Sequence, residues 1–497
     1  MNKKKAAISI LIFLGSFILF WSTRDIPVVW DESHYASAGI KYWEAISDLD
    51  IDNDVWILNK EHPPLVKYLA GMGWLVFKEP RFGNCLLSAF GLMCLFLLCS
   101  RWGTIAGIAA VAAAVAQPRL FTHSHYVELD APLAWTWICT LFIALELMDR
   151  PSVSMLLLFM IALGVSLLVK INAILIPVPV IAAALLYRRS AAGWVIGGTA
   201  GGAFLFLLGW PWLWTDTVSR LVKFFTFFSG HSQVSFYYFG NASADISRLP
   251  WHYVIVMTLG VLPLTVFFLA LFGLVRGLVK KDHGIFLIVC SLVISTFPFL
   301  FPFVVKYNGV RLFLVNSVLI AALAGIGIGY LAGRCRRCAL AALAVLLIHG
   351  LIANISVYPY GLIYYGGMLG GTRGAVSLGM QTSYWGETAV AAADYINRTA
   401  PPDSLIVLPR GPNIQAGRDE LLISPYFRAD IRTTRDRQLR SRKDIIYIRD
   451  AREASFDTVD WNLWKNCTPH FEKIVAGVPV VRVYSSEQVL SCINDKD

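Results

Sequence analysis

Charge is what this chain has least of. Only 15% of its 497 residues are Asp, Glu, Lys or Arg, while 56% are hydrophobic and the mean hydropathy is +0.59. Soluble domains carry about 25% charged residues, so an ordinary soluble protein is excluded. There is no glycine-rich phosphate loop and no Rossmann fingerprint, so no nucleotide site is legible. His, Cys, Asp and Glu match no strong metal-binding spacing. No internal repeat is found, and the charges cluster at one leaflet instead of midway along the apolar runs. Both features argue against the rival reading, a polytopic lipid or solute transporter. The first apolar run, behind Lys3, Lys4 and Lys5, ends at Trp21-Ser22-Thr23-Arg24 without an Ala-x-Ala site, so it reads as a span and not as a signal peptide.

What is present is a series of long apolar runs separated by short basic loops. Runs at 6–21, 82–98, 104–116, 131–147, 155–169, 171–187 and 193–213 are followed by four more, the last at 339–354. That makes about eleven transmembrane helices. Loops on one side carry Arg or Lys, while the acid-bearing loops with His or Trp fall on the other. The net charge of +10 is therefore a positive-inside pattern and not a nucleic-acid footprint. It sets the amino terminus in the cytoplasm and the tail outside. Between the first two spans, 35–46 and 65–77 read as surface helices, the second started by Pro63-Pro64. From about Gly386 the composition turns polar, with a helix at 388–400, strands at 404–408, 444–448 and 480–484, and an exposed loop at 432–442. This tail reads as a small α/β domain.

The chemistry gathers in the outer loops. Asp31-Glu32 places two carboxylates side by side where a helix has just left the bilayer, and a partly desolvated carboxylate can act as general base toward a hydroxyl or amine. A solvated charge pair at a helix start is the plain alternative. Glu61, His62, Lys67, Glu128, Asp130 and Lys170 add ionisable groups at the same leaflet. His62 and the amides after Pro63-Pro64 are candidates to bind an anion. Lys67 and Lys170 either snorkel or reach a lipid phosphate. Glu128 and Asp130, two apart, form a loose acceptor-binding or divalent-metal pair, to which His123 and His125 could add zinc ligands. Lys306, Tyr307 and Arg311 offer two cations and a phenol beside a glycine turn, with Arg311 able to clamp a phosphate. Tyr384-Trp385 is either an interfacial anchor or a sugar-stacking platform. Cys467 and Cys492 are candidates to pair if the tail faces an oxidising compartment, and Cys335-Arg336-Arg337-Cys338 has redox-type spacing in a basic loop.

With these residues assembled, the chain resembles the integral-membrane glycosyltransferases of the protein O-mannosyltransferase and aminoarabinose-transferase type, which have the GT-C fold. The resemblance rests on Trp30-Asp31-Glu32-Ser33-His34-Tyr35, His62-Pro63-Pro64-Leu65-Val66-Lys67, Leu129-Asp130-Ala131-Pro132-Leu133, the stretch 164–170, Tyr307-Asn308-Gly309-Val310-Arg311, and the run from Tyr358 to Gly386. It implies a transmembrane glycosyltransferase domain at 1–385 with catalytic outer loops at 22–81, 118–130 and 214–251, and an extracytoplasmic domain at 386–497. It implies Asp31 as the catalytic acid residue, Glu32 and Glu61 as supporting acids, and His62, Lys67, Lys170, Tyr307 and Arg311 around a carrier phosphate. The implied reaction moves a sugar from a polyprenyl-phosphate carrier with inversion, onto a protein, glycan or lipid acceptor, with membrane lipids around it and no nucleic acid. A bacterial inner membrane is the expected setting. Two departures stand out: Glu128 lies where the mannosyltransferases carry a basic residue, and the tail lacks the repeats of their β-trefoil.

Overall fold

The structure is a computed structural model that describes residues 3–50, 54–230, 235–243, 249–302, 304–408, 424–434 and 445–494. The helices that build the membrane part are α1 (Lys3–Ser22), α2 (Glu32–Ser47), α3 (Leu65–Phe77), α4 (Phe82–Cys99), α5 (Thr104–Val115), α6 (Pro118–His123), α7 (Asp130–Asp149) and α8 (Val153–Val169). They continue with α9 (Pro177–Tyr187), α10 (Ala192–Leu208), α11 (Thr217–Gly230), α12 (Tyr253–Gly260), α13 (Leu264–Lys280), α14 (His283–Thr296), α15 (Val315–Ala332) and α16 (Arg336–Val357). Seven of these (α1, α4, α7, α10, α14, α15 and α16) are long and apolar enough to cross a membrane. An eighth span is made if α12 and α13, bent by 113° at their break, count together. The expected runs at 104–116, 155–169 and 171–187 are helices, but shorter ones. α5, at 12 residues, reaches only about 18 Å against a hydrocarbon core of about 30 Å.

Nearly every position of the long helices is apolar, and such helices are buried on all sides or face lipid. α7 and α15 are the buried ones and form the core, α15 lying among α5, α13, α14 and α16 and α7 between α4 and α8. α1, α10 and α16 present most of their surface outward. Both expected surface helices are found, α2 and α3, packed against each other. Their contact depends on Gly39 and Gly71, because a Cβ on Gly39 would fall on the carbonyl of Lys67 and one on Gly71 on the carbonyl of Gly39.

Beyond Gly386 lies a five-stranded sheet of order β4-β3-β5-β7-β6, with β3 (Leu405–Val407), β4 (Arg432–Thr434), β5 (Ile445–Asp450), β6 (Phe471–Val475) and β7 (Val478–Ser485). β1 (Phe236–Tyr238) and β2 (Asn241–Ser243) form a separate hairpin in the outer segment after α10. β3 pairs in parallel with β4 and β5, whereas β7 runs antiparallel to β5 and β6. Side chains alternate across a strand, so Ile406, Ile448 and Val483 face one side and Val407, Tyr447 and Tyr484 the other. The first side packs on Ile26, Val29 and Trp30 of the first outer loop and on Tyr126 of the second. The other is covered by helices Thr458–Asn466 and Ser486–Asn494, which Cys467 and Cys492 bridge. Cys335 and Cys338 also lie within bonding reach at the start of α16. Residues 432–434, expected as loop, form edge strand β4, and 435–442 lie outside the described residues. The expected helix at 388–400 is a 3₁₀ turn, Ala389–Ala392, continued by helix Ala393–Thr399.

The seam between sheet and membrane part holds two buried carboxyls. Glu453 accepts the Thr382 N–H (3.0 Å) and hydroxyl (2.6 Å), and Glu387 accepts the Ser383 hydroxyl (3.1 Å). Burial pushes each up to about 7, with Asp450 adding to the effect. The folded form therefore keeps protons that the unfolded chain releases near pH 4.5, so this contribution to stability is present below that pH and is lost as pH rises toward 7. Glu453→Gln is expected to flatten the fall in melting temperature between pH 5 and 8, removing on the order of 2–3 kcal/mol of pH-dependent stability. Thermal unfolding of the detergent-solubilised protein across that range checks it, and a slope identical to wild type would refute the assignment.

Candidate active site

Four ionised side chains from distant parts of the chain meet in one row. Asp130, the first residue of α7, is ion-paired to Lys170, which follows the last residue of α8. Its other oxygen lies 3.3 Å from Arg311 Nε, and Arg311 Nη2 lies 2.6 Å from Asp31 at the start of α2. The row Lys170–Asp130–Arg311–Asp31 is neutral in sum, which suits a place where isolated charges are costly. Its two acids are not equivalent. The Asp130 side chain is 2% exposed and the Asp31 side chain 28%. Asp130 is thus the fixed anion between two cations, and Asp31 is the carboxylate that reaches open space.

Arg311 is held from above as well. Its guanidinium lies 3.7 Å from the Trp385 ring centroid and 5.5 Å from that of Tyr307. Trp385 is positioned by Gly386, whose φ of +87° and contact with the Trp30 indole leave no room for a Cβ, while the Trp385 carbonyl accepts the Trp30 backbone N–H at 3.3 Å. The aromatic plate over the row is therefore built from both ends of the chain.

Glu32 points away from its neighbour. It is buried and binds Arg81 bidentately, at 2.8 and 2.7 Å, and also accepts the N–H groups of Val29 (3.1 Å) and Val127 (3.0 Å). Arg81 in turn donates to the carbonyls of Arg24 (2.5 Å) and Ile26 (2.8 Å). Sequence reasoning missed Arg81. Its signal was a cation on the outer side, against the positive-inside pattern. Arg119 carries the same signal: it is buried beneath Tyr365 and Tyr384, with its Nε donating to the Tyr364 carbonyl at 2.8 Å.

The other expected residues lie around the row. The His62 ring packs edge-on to Tyr35 at 6.0 Å, and burial, followed by Lys170 and Lys67, pushes its imidazole well below the ordinary range. Lys67 is buried and donates to the carbonyls of Asn59 and His62, so it stitches the loop before α3 onto that helix; burial brings it down to about 7. Glu61 accepts from Asn59 at 2.8 Å. Burial pushes the Tyr307 phenol up to about 12. Glu128 accepts the N–H groups of Asp130 and Ala131 and so caps the start of α7, while burial, followed by Asp130, pushes its carboxyl well above the ordinary range. A metal does not fit here. Glu128 is committed to amides, Asp130 to cations, and both His125 nitrogens to Thr23 and Phe121. Among the described residues no three metal-ligating side chains converge.

Residues 61–214, under a third of the chain, match a family described as dolichyl-phosphate-mannose-protein mannosyltransferase. No curated relative matches the sequence. The crystal structure of ArnT from Cupriavidus metallidurans bound to undecaprenyl phosphate is similar over 96% of this chain and 97% of that one, at 15% identity and a TM-score of 0.51. The apo ArnT structure gives 97%, 99%, 16% and 0.51. The apo Archaeoglobus fulgidus oligosaccharyltransferase covers 80% of this chain and 58% of its own at 12% identity and a TM-score of 0.44. At such identity the ArnT likeness shows a shared fold, the polytopic GT-C architecture.

The two adjacent acids separate experimentally. Glu32→Gln leaves Arg81 buried without a counter-charge and is expected to cost about 3–5 kcal/mol, whereas Asp31→Asn, at a partly open position, is expected to cost under about 1 kcal/mol. Thermal unfolding of both variants in the same detergent checks this. Equal losses would mean that the two carboxylates share one environment.

Proposed function

We propose that this chain is an inverting glycosyltransferase that moves a sugar from a polyprenyl-phosphate carrier to a hydroxyl or amine acceptor on the outer face of a bacterial inner membrane. The observation that carries the reading is the row Lys170–Asp130–Arg311–Asp31, which sets a reachable carboxylate against cations held by a second, buried carboxylate. It is supported by the family match, by the ArnT fold, and by the finding that ArnT was crystallised with undecaprenyl phosphate. The eleven-span topology, with a cytoplasmic amino terminus and the domain at 386–497 outside, belongs to this reading, with α5, α8 and α9 as short spans.

In the reaction, the acceptor oxygen or nitrogen attacks the anomeric carbon as the bond to the carrier phosphate breaks on the opposite side. Asp31 takes the acceptor proton. Arg311 and Lys170 receive the leaving phosphate, whose charge grows in the transition state. Orientation and charge stabilisation suffice, because the carrier phosphate is already a good leaving group. His62 and Tyr307 border this phosphate position, while Glu61 and Lys67 hold the loop that carries His62. Glu32 supports Asp31 by fixing the helix on which it stands, and Glu128 does the same for Asp130.

Arg311 serves two partners in turn. In the resting pair it neutralises Asp31. An arriving phosphate competes for the same guanidinium and frees the carboxylate to act as base. Asp31→Asn is therefore expected to lower transfer by about 10²–10⁴-fold while tightening the binding of free undecaprenyl phosphate. Radiolabelled polyprenyl-phosphate sugars with membrane extract report the first, and microscale thermophoresis in detergent the second. Full activity in the variant would remove Asp31 from the chemistry, and absence of donor consumption by folded wild type would favour transport.

A further inference from the structure

A cavity of about 610 Å³ lies between the first outer loop and the C-terminal sheet region, apart from the charged row. Glu32, Ser33 and Ala36 of α2 line it, whereas Asp31 and Tyr35 of the same helix turn toward Arg311 and His62. One helix diameter, about 10–12 Å, therefore separates the two. Its far wall comes from residues 359–360, 390–391, 393–394, Tyr426 and Lys473. Its size falls in the roughly 300–1,000 Å³ range of small-molecule pockets.

The polar lining selects a ligand class. Arg81 is consumed by Glu32 and Arg24 by Glu79, at 3.4 Å. That leaves Asp25, Asp394 and Lys473, none ion-paired among the described residues, together with the phenols of Tyr360 and Tyr426. The uncommitted charges sum to minus one, which disfavours a phosphate or any other anion. Two carboxylates offer acceptors to hydroxyl groups, and two tyrosines offer stacking faces beside Pro359, Val390 and Ala391. This is a chemistry for an uncharged, hydroxyl-rich ring.

We propose that the cavity is a saccharide-binding subsite that holds an uncharged sugar of the acceptor, away from the group that reacts. The assignment rests on the transfer reaction proposed above. It makes the acceptor a glycan or glycolipid whose neutral portion is gripped between the outer loop and the C-terminal region, so that remote binding energy orients the reacting hydroxyl at Asp31. It also explains why the cavity has one wall from each end of the chain: the sheet region completes a site that the membrane helices alone leave open.

Saturation-transfer NMR on the detergent-solubilised full chain tests this with free glucose, mannose, galactose and their disaccharides, alongside glucose 1-phosphate and inorganic phosphate. Neutral sugars are expected to bind, and the phosphate compounds not to displace them. Asp394→Asn combined with Tyr426→Ala is expected to weaken binding by about tenfold or more, and Ala391→Trp, which fills the cavity, to abolish it, each with a melting temperature near wild type. Asp31→Asn is expected to bind the neutral sugars as wild type does. No neutral-sugar binding, a preference for the phosphorylated sugar, or binding lost with Asp31→Asn and kept in both cavity variants would overturn the proposal. The donor-consumption assay reads the reaction separately: consumption without cavity binding sinks the subsite alone, and cavity binding without consumption of any donor sinks the acceptor role with the reaction.

Discussion

The bidentate pair between Glu32 and Arg81 is the constraint on which the outer face depends. Through Arg81 it gathers the carbonyls of residues 24 and 26, and through Glu32 the amides of residues 29 and 127. It thereby locks the first outer loop, the start of α4 and the second outer loop into one body. Successive residues of a helix point about 100° apart, so once Glu32 is fixed inward, Asp31 has one direction left. The direction of Asp31 is set by its neighbour's burial more than by its own contacts. A charge pair of this kind contributes little net stability against an apolar alternative. What it contributes is a unique arrangement.

The row Lys170–Asp130–Arg311–Asp31 follows the same logic one layer deeper. A buried carboxylate between two cations keeps both ionised and aimed, and the neutral sum lets four charges stand beside a bilayer. Trp385 and Tyr307 close the row with ring faces, which attract the guanidinium without competing for its protons.

Much of this was legible in the sequence because membranes impose simple rules. The loops followed from the apolar runs between them, and the concentration of ionisable residues in those loops marked Asp31, Asp130, Lys170 and Arg311. Their pairing was not legible, since Asp31 and Arg311 are 280 residues apart and meet only through helix packing. Glu32 looked like a second catalytic acid because nothing in the local sequence pairs it with Arg81, 49 residues away. The runs at 104–116, 155–169 and 171–187 were located correctly, and α5, α8 and α9 are shorter than the long spans because Gly103, Lys170 and Pro177 bound them, features of local backbone and not of hydropathy. β6 escaped notice because Phe471–Val475 is a half-exposed edge strand that mixes Glu and Lys with apolar residues, and so shows no clean alternation.

The chain order of the row has a consequence for how the protein is made. Asp31 emerges early and Arg311 only 280 residues later, which at about 5–20 residues per second is roughly 15–55 s of synthesis. For that interval Asp31 lacks its Arg311 partner, whereas the Glu32–Arg81 pair needs only 49 residues of chain. The loop is thus shaped before its charge is balanced. Trp385, whose ring lies over Arg311, is made later still, so the row is the last part of the site that the chain can complete.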